Sequence, residues 1–550
     1  MGRGGPGDGR DVPRAERAPG ARGTAEARVW VSDGPRYRFP ERDSASARRP
    51  STGVCFSGGG TRSLVATAGQ LRGLTATGLI ADVGYVACVS GGAWAAVPYT
   101  YHAAGARDDA ELLGPVHPPE RLRLPALAAL PEGRLDHPAT AGFERHLAAA
   151  IGDADLPRDQ VWTRAVGATY LAPFGLFDPR APAWFTSDAS AAAAIRAVNP
   201  HLAATPFHSI RGGAPRPHLV INACLVWPRL PAETSDGRQR IGFEFTPLGV
   251  GTPCRSVLRA PSGASCTVGG GFLEPFAFGC PAPAGGPDLS GRVRVAAPPR
   301  PFTLADATAA TSASSTRAAA VAFVPRARHW PLIEGGGEPD REHSFADGGD
   351  VENFGLIALL RRRVERVVVF VNTLHPIADE VRPESAPAAA APEAAGIDPY
   401  IPPLFGYPTR KCPHNQVFAR AAFGGVVEAL RAARRRGRGA VATTRLPVEP
   451  NAWWGVAGGW EVEVCWVYNE RAPAWEARLD ADARRAIEAG QGPDPSGPFA
   501  RFPFYRTEGQ NPGCLVRLTA PQVNLLAELS CWVVVEHAAE LGRVLRGGPA

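Results

Sequence analysis

The chain has 550 residues, of which 45% are apolar and 20% are charged, and its formal net charge is +6. This composition is typical of a globular protein with a sizeable core, and so small a charge on a chain of this length does not indicate nucleic-acid binding. We therefore expect no nucleic-acid partner.

Cysteine usage and hydropathy limit the cellular compartments in which the protein is expected. Residues 1–28 lack the apolar core of a secretory signal, and no uninterrupted apolar run approaches the roughly 20 residues that span a bilayer. The ten cysteines include no C-x-x-C pair, and half of them lie in apolar, strand-like stretches, which favours buried, reduced thiols. The sequence predicts a cytoplasmic protein, and we expect neither a metal nor a cofactor.

Composition shifts indicate one large domain behind a tail. Residues 1–45 open with a Gly-, Arg- and Pro-rich stretch that has almost no large apolar side chains. Such a segment cannot offset the entropy of ordering, so we predict a disordered tail over 1–45. Breaks at 280–301, 382–396 and 490–498 have the composition of surface loops. None separates repeated halves, so we predict one elaborated domain over 46–550.

Short apolar runs alternate with helical patterns after residue 50. "TGVCFS" (52–57) is typical of a buried strand, residues 61–74 have apolar positions at helical spacing, and "YVACVS" (85–90) is a second strand. Strand, helix and strand within about 40 residues favour a parallel sheet with a right-handed crossover. Further strands are predicted at "HLVINACLVW" (218–227), "SFAD" (344–347) and "ERVVVFVN" (365–372). We predict an α/β fold whose sheet is covered on both faces.

Three consecutive glycines follow the first strand in "SGGGTRS". A glycine turn between a strand and a helix can bind phosphate on its amides, stabilise an oxyanion, or form a tight turn without chemistry. A nucleotide P-loop needs Lys and then Ser or Thr after its last glycine, but Thr61 and Arg62 follow Gly60. The glycines are also not staggered as in a dinucleotide fingerprint. The common phosphate motifs are therefore disfavoured.

The second strand ends at Ser90, which Gly91 and Gly92 follow directly. This is the pattern of a nucleophile elbow, although Cys88 replaces the usual glycine two residues before the serine. An ordinary strand-terminating turn is the alternative. Because neighbouring parallel strands lie ~4.8 Å apart and both turns leave carboxyl ends, we expect the glycine loop beside Ser90. Its amides, at the positive end of a helix, are oxyanion-hole candidates.

A serine hydroxyl needs a group that takes its proton. Asp347 ends the predicted strand "SFAD", and Gly348 and Gly349 follow it, so the carboxylate can reach the same edge of the sheet. With an unperturbed pKa of ~3.9, an aspartate acts as a base only if it is held dry and close to the hydroxyl. For this segment alone, a turn or helix-cap carboxylate is the alternative.

The motifs "SGGGTRS", "CVSGGAW" and "DGGDVEN", in this order, resemble the patatin and cytosolic phospholipase A2 superfamily. Its pattern is a glycine–arginine oxyanion loop, a G-x-S-x-G elbow and a D-G-G/A aspartate. Trp94 together with "FEFTPLGVGTP", "GGGFLEPFAFG" and "ENFGL" favours the cytosolic phospholipase A2 and lysophospholipase branch. The resemblance covers most of residues 50–405.

This resemblance implies a three-layer α/β/α patatin-like domain with a mostly parallel central sheet and insertions. It implies a serine lipid acyl hydrolase that cleaves fatty acyl esters of glycerophospholipids or lysophospholipids. Ser90 is implied to be the nucleophile and Asp347 the general base. Gly59 and Gly60 are the implied oxyanion donors, and Arg62 is the implied contact for the lipid phosphate. The alternative for Arg62 is that it only holds the loop through a buried carboxylate.

Three alternatives remain open at the sequence level. Acyl transfer to an alcohol would use the same residues, and Cys88 leaves a catalytically silent lipid-binding scaffold possible. A Ser–Asp–His triad is the mechanistic competitor, since His375, His414 and His537 all follow Asp347 in the chain.

A lipid hydrolase must admit acyl chains without a large exposed apolar patch. We predict a lid-like insert at about 377–403. The tryptophans of "AWWGVAGGW" (452–460) and the arginine-rich end of a helix predicted over 415–439 suit transient contact with a membrane surface. Core packing and favourable cations at a helix C-terminus are the alternatives. The expected location is cytoplasmic, with peripheral membrane contact.

Overall fold

The computed structural model describes residues 23–32, 37–43, 51–102, 109–210, 216–227, 239–259, 263–283, 291–298, 300–313, 323–333, 340–379, 396–409, 412–492, 494–507 and 517–547. The strands are β1 Thr24–Val31, β2 Thr52–Phe56, β3 Tyr85–Val89, β4 Trp184–Thr186, β5 Phe207–Ser209, β6 His218–Trp227, β7 Gln239–Phe245, β8 Val250–Thr252, β9 Ser256–Arg259, β10 Ser265–Val268, β11 Gly271–Leu273, β12 Arg292–Ala296, β13 Arg326–His329, β14 Arg341–Ala346, β15 Arg366–Val371, β16 Ala440–Val448 and β17 Trp460–Tyr468. The helices are α1 Gly60–Ala76, α2 Gly91–Tyr101, α3 Asp109–Leu113, α4 Leu124–Leu127, α5 Phe143–Gly152, α6 Val161–Val166, α7 Ala189–Val198, α8 Leu304–Thr311, α9 Leu356–Arg361, α10 Phe423–Arg435, α11 Pro473–Glu476, α12 Ala481–Ala489, α13 Ala520–Glu536 and α14 Ala538–Arg546. Within these ranges, none of the helices has the length and apolar character needed to cross a membrane.

A thirteen-stranded sheet organises the fold, in the order β12-β1-β11-β8-β7-β6-β3-β2-β15-β17-β16, with β14 beside β6 and β13 beside β14. Its centre, β6-β3-β2-β15-β17, is parallel. The strands outside this centre pair antiparallel. Of these five parallel strands, β2, β3, β6 and β15 lie where the sequence predicted strands, and β17 was not predicted. The α/β fold class is confirmed.

The sheet buries a separate apolar core on each face. On β2, Val54 and Phe56 face one side and Cys55 faces the other, as the two-residue period of a strand requires. Helices α1, α2 and α13 pack on the first side, and α9 and α10 pack on the second. Parallel strands are covered by helices in this way because both of their faces are apolar. The result is a three-layer arrangement around the centre of the sheet.

The segment 1–45, predicted to be a disordered tail, contains strand β1. β1 pairs antiparallel with β11 and β12 inside the main sheet. Its alternating Ala25, Ala27 and Val29 side chains are buried, and this period-two pattern is what the compositional argument missed. The prediction of a tail does not hold for this strand, and residues 1–22 lie outside the described residues.

The lid-like insert stays a prediction, and the structure describes parts of the segments predicted to face a membrane. Of the lid-like insert at 377–403, residues 380–395 lie outside the described residues, and Ile401 beyond them is fully buried. The helix predicted over 415–439 begins at Phe423. Asn415 lies before this helix, and its side-chain amide donates to the Val351 carbonyl at 2.7 Å. Trp454 is 5% exposed and belongs to the core.

Candidate active site

The turn between β3 and α2 holds Ser90 in an unusual backbone conformation. Its φ is 49° and its ψ is −121°, and a non-glycine residue adopts such a conformation at a cost of roughly 1–3 kcal/mol. A Cβ on Gly91 would lie 2.0 Å from the Gly60 carbonyl oxygen, and a Cβ on Gly92 would lie 2.6 Å from that of Phe56. The tight turn therefore requires both glycines, as a nucleophile elbow does.

Strand β14 brings Asp347 to this turn from the opposite direction. β3 pairs with β6 as far as Val89 opposite Asn222, where the chain turns into α2. The edge of β6 beyond this point is taken by β14, which runs antiparallel and pairs Ala346 with Cys224. Asp347 therefore leaves β14 beside the end of β3. The sequence pattern predicted the strand but not its direction.

The hydroxyl of Ser90 donates a hydrogen bond of 2.8 Å to Oδ2 of Asp347. The other carboxylate oxygen accepts from the Gly349 amide at 2.9 Å, and the Asp347 amide donates to the Ala313 carbonyl at 3.0 Å. Ser90 is 6% exposed and Asp347 is half-buried. The two predicted residues thus lie in direct contact, in a position where water has limited access.

Thr311, the last residue of α8, holds the backbone of the elbow. Its hydroxyl oxygen accepts from the Ser90 amide at 3.0 Å, and the hydroxyl donates to the Asn222 carbonyl on β6. One side chain therefore links the elbow to the neighbouring strand. Thr311 was not predicted from the sequence, since nothing in "ADATAATS" distinguishes a positioning threonine from one that lies in the interior of a helix.

The histidines of the alternative triad make their contacts elsewhere. The ring of His414 packs with its centre 4.3 Å from that of Trp453. The ring of His537 binds a backbone carbonyl in the loop before β16 at 2.8 Å, and the carbonyl of His375 accepts from the hydroxyl at the end of β17. Within the described part of the chain, none of the three hydrogen bonds with Ser90. Asp347 is the acceptor that the hydroxyl uses.

The glycine loop lies against the elbow. The Gly58 amide donates to the Asn353 carbonyl at 3.0 Å, and Gly59 and Gly60 have φ values of 144° and 59°, which favour glycine. The close approach of Gly91 to Gly60 joins the two turns. In the described ranges, no residue accepts a hydrogen bond from the amides of Gly59 or Gly60. These donors lie at the start of α1, where the helix dipole favours negative charge.

Arg62 is directed into the protein, where it holds the glycine loop. Its side chain is 1% exposed, and it donates to the carbonyls of Asn372 at 3.1 Å and Tyr505 at 2.6 Å. The Thr507 hydroxyl donates to the Gly59 carbonyl at 2.9 Å and accepts from the Arg62 amide at 3.0 Å. In this conformation the guanidinium binds backbone carbonyls. Its contact with a lipid phosphate stays a prediction.

Asn372, directly after β15, ties the loop to α1. Its amide donates to the Ser57 hydroxyl at 2.8 Å, and its side chain exchanges hydrogen bonds with Gln70 and donates to Thr67. Asn372 is fully buried, so this network fixes the loop without solvent. Neither Asn372 nor Thr507 was predicted from the sequence. Asn372 leaves one signal, a polar residue at the end of a strand, and Thr507 leaves none.

Glu352 is a buried carboxylate between the aspartate turn and α9. It is 5% exposed, and its carboxylate accepts from the amides of Phe354 at 2.7 Å and Ile357 at 3.3 Å at the start of α9. Burial raises the pKa of Glu352 to about 7, against the opposing effect of these amides. Burial also raises the pKa of the Cys88 thiol. The thiol therefore stays in the unreactive protonated form.

No family model and no curated protein matches the chain. Among solved structures, it is similar to human GIVD cytosolic phospholipase A2, with 15% identity and a TM-score of 0.43 over 90% of this chain and 60% of that chain. The same human protein in complex with methyl gamma-linolenyl fluorophosphonate and terbium chloride matches with 14% identity and a TM-score of 0.40, over 90% and 59% of the two chains. The chain thus covers about 60% of the length of these structures.

Proposed function

We propose that the chain is a serine acyl hydrolase of the phospholipase A2 or lysophospholipase type, which cleaves fatty acyl esters of glycerophospholipids. The observation that carries this proposal is the 2.8 Å hydrogen bond from the Ser90 hydroxyl to Asp347, at a serine with a left-handed backbone. A strained strand-to-helix turn, a proton acceptor and small neighbours are what a nucleophilic serine requires. The motifs that resemble the phospholipase superfamily support a lipid ester as the substrate.

In the first half of the reaction, Ser90 Oγ attacks the ester carbonyl carbon while its proton moves to Asp347. The carbonyl oxygen becomes an oxyanion, and the amides of Gly59 and Gly60 stabilise it together with the positive end of α1. The bond to the alcohol then breaks, and Asp347 returns the proton to the departing oxygen. A lysophospholipid or glycerophosphoester leaves, and the acyl group stays on Ser90.

In the second half, water attacks the acyl-enzyme. Asp347 takes a proton from this water, the same amides stabilise the second oxyanion, and the bond to Ser90 Oγ breaks as the proton returns to that oxygen. The product is a free fatty acid. A two-residue mechanism of this kind uses one carboxylate as base and as acid in turn.

The substrate suggests the cellular setting. Phospholipid esters are presented at membrane surfaces, so we propose transient contact of the enzyme with such a surface and a cytoplasmic location. The proposal includes no metal, cofactor or nucleic-acid partner.

A fluorophosphonate probe tests the nucleophile. The full chain should be labelled covalently, the Ser90→Ala variant should not, and Ser187→Ala, which alters a serine outside the site, should be labelled like wild type. Equal labelling of Ser90→Ala and wild type would overturn the assignment of Ser90.

Product analysis tests the substrate. Mixed micelles of phosphatidylcholine or lysophosphatidylcholine with distinguishable acyl chains should yield free fatty acid with wild type and none with Ser90→Ala. Labelling without release from any defined phospholipid would contradict the lipid assignment. Acylglycerol formation with added glycerol, in place of fatty acid, would reassign the chain as an acyltransferase.

A further inference from the structure

Asn353 ends the "DGGDVEN" motif, and the reaction as described so far gives its side chain no role. Its carbonyl accepts from the Gly58 amide at 3.0 Å, which attaches the residue to the glycine loop. In the part of the chain that the structure describes, its carboxamide forms no hydrogen bond. Every other asparagine described there forms at least one through its side chain. An unengaged carboxamide is therefore exceptional in this protein.

The carboxamide of Asn353 is accessible to solvent although the chain on both sides of it is buried. Glu352 is 5% exposed and Phe354 is 0% exposed. Asn353 itself is half-buried, and neither the oxygen nor the nitrogen of its carboxamide is closed off from solvent. The segment is held from behind, since the Asn415 side chain donates to the Val351 carbonyl at 2.7 Å. A fixed backbone thus presents a polar group that a substrate can touch.

This carboxamide lies between the glycine loop and the aspartate turn. A Cβ on Gly58 would lie 2.3 Å from Asn353 Oδ1 and 3.3 Å from the Ser90 Cβ. A Cβ on Gly349 would lie 2.7 Å from Asn353 Oδ1 and 3.2 Å from Asp347 Oδ1. The space of one methyl group therefore spans the distance from Asn353 to the nucleophile, and a second such space spans the distance to the base.

The chemistry at Ser90 calls for a donor of this kind. The carbonyl carbon that Ser90 attacks must lie against the serine hydroxyl, so the ester comes to lie beside Asn353. Its carbonyl oxygen gains negative charge, which hydrogen-bond donors stabilise. A carboxamide offers two N–H donors and no charge. A lysine or arginine in its place would favour the charged form of Asp347 and weaken it as a base, whereas a neutral donor stabilises the oxyanion without that effect.

We propose that Asn353 is a further catalytic residue, whose Nδ2 donates a hydrogen bond to the oxyanion. In that step the bond from Ser90 Oγ to the carbonyl carbon forms, the π electrons move to the carbonyl oxygen, and the serine proton moves to Asp347. Asn353 exchanges no atom and adds a third donor to the amides of Gly59 and Gly60. This role rests on the proposed function, because it concerns the same reaction.

Reversible inhibition of the full chain by palmityl trifluoromethyl ketone tests the donor. Ser90 adds to this ketone and forms an oxyanion, whereas a dihexadecyl ether analogue of phosphatidylcholine binds without reacting. Asn353→Leu keeps the side-chain shape but has no donor. It should lower kcat for ester hydrolysis about 10²-fold and weaken inhibition by the ketone by a similar factor, with inhibition by the ether unchanged. Asn353→Ala, which is too small to press on Gly58 or Gly349, should show the same pattern.

Asn415→Ala is the structural comparison, because it removes the bond to the Val351 carbonyl and leaves the Asn353 carboxamide in place. It should lower the midpoint of thermal unfolding and keep the ratio of the two inhibition constants. The dependence of kcat/KM on pH provides a second check. Its acid-side midpoint should be the same in Asn353→Leu and wild type, and a shift would show that Asn353 acts only through Asp347, contrary to the proposal.

Two results would overturn the role of Asn353 and leave the proposed function intact. One is equal inhibition of wild type and both folded Asn353 variants by the ketone. The other is an equal loss of affinity for the ketone and the ether, since the carboxamide would then bind substrate without favouring the oxyanion. A wild-type protein that neither reacts with a fluorophosphonate nor hydrolyses any ester would instead contradict the proposed function itself.

Discussion

The contact between Ser90 and Asp347 concentrates the proposed chemistry in two side chains. Both were predicted from local motifs. Each residue ends a strand and is followed directly by two glycines. The contacts that hold them, from Thr311 and from Gly349, leave no such signal, since they depend on which segments meet in space.

Asp347→Asn should abolish proton transfer while keeping the shape of the site. The amide can still accept a hydrogen bond from Ser90, but it cannot take the proton, so we expect kcat for ester hydrolysis to fall about 10³-fold or more. His375→Ala, which alters a candidate of the alternative triad, should keep activity near wild type. Initial rates on a soluble thioester substrate measure both. Wild-type activity of Asp347→Asn, or loss in a folded His375→Ala protein, would contradict the dyad.

Glu352 makes the stability of the protein depend on pH. Its pKa is raised to about 7 by burial, from an ordinary value of 4.5, so between these values the folded state binds a proton that the unfolded state has released. The free energy of unfolding therefore falls as pH rises through this window, by an amount on the order of 3 kcal/mol. Glu352→Gln has no proton to lose. Denaturant unfolding at pH 5 and pH 8 should show a smaller decrease for this variant, and an equal decrease would exclude Glu352 as the cause.

At the scale of elements, the direction of β14 is the feature that the sequence could not indicate. The pattern of "SFAD" predicts a strand, but a four-residue run carries no information about its partner or direction. The structure pairs β14 antiparallel with the part of β6 that β3 leaves open. The parallel strands β2, β3, β6 and β15 were predictable because each is an apolar run next to turn or helical patterns. The position of β14 depends instead on where β3 leaves the edge of β6.

Helix α8 contacts the elbow through the hydroxyl of Thr311, and removing this hydroxyl tests the contact. Thr311→Val loses the hydrogen bonds with the Ser90 amide and the Asn222 carbonyl, so the strained elbow should relax. We expect kcat to fall about tenfold with little change in KM, since the contact positions the nucleophile. Thr308→Val is the matched control, because Thr308 lies one turn earlier, is fully buried, and its hydroxyl donates to the Leu304 carbonyl within the same helix. The rate of fluorophosphonate labelling should slow in Thr311→Val alone, and equal rates would refute the link.

At the scale of the whole molecule, the candidate site depends on segments from most of the chain. The glycine loop is held by Thr507 and Tyr505, more than 440 residues along the chain from it. The sequence resemblance weakens in that region, so the motifs predicted the loop but not its support. Helix α13 then packs along α1, and Arg72 on α1 forms a buried ion pair of 2.7 Å with Glu528.

The contact between α1 and α13 is close enough for one methyl group to disturb the whole fold. A Cβ on Gly69 would lie 2.2 Å from the carbonyl oxygen of Ala527, so Gly69→Ala forces the two helices apart. We expect it to lower the free energy of unfolding by about 3 kcal/mol and to reduce activity, because α1 begins at the glycine loop. Gly425→Ala is the matched control, since Gly425 also lies in a helix, is exposed, and has open space around its Cβ position. That variant should be unchanged or more stable by about 0.5–1 kcal/mol. Denaturant unfolding of both variants measures the difference, and equal stabilities would show that the α1–α13 contact adapts to the added methyl group.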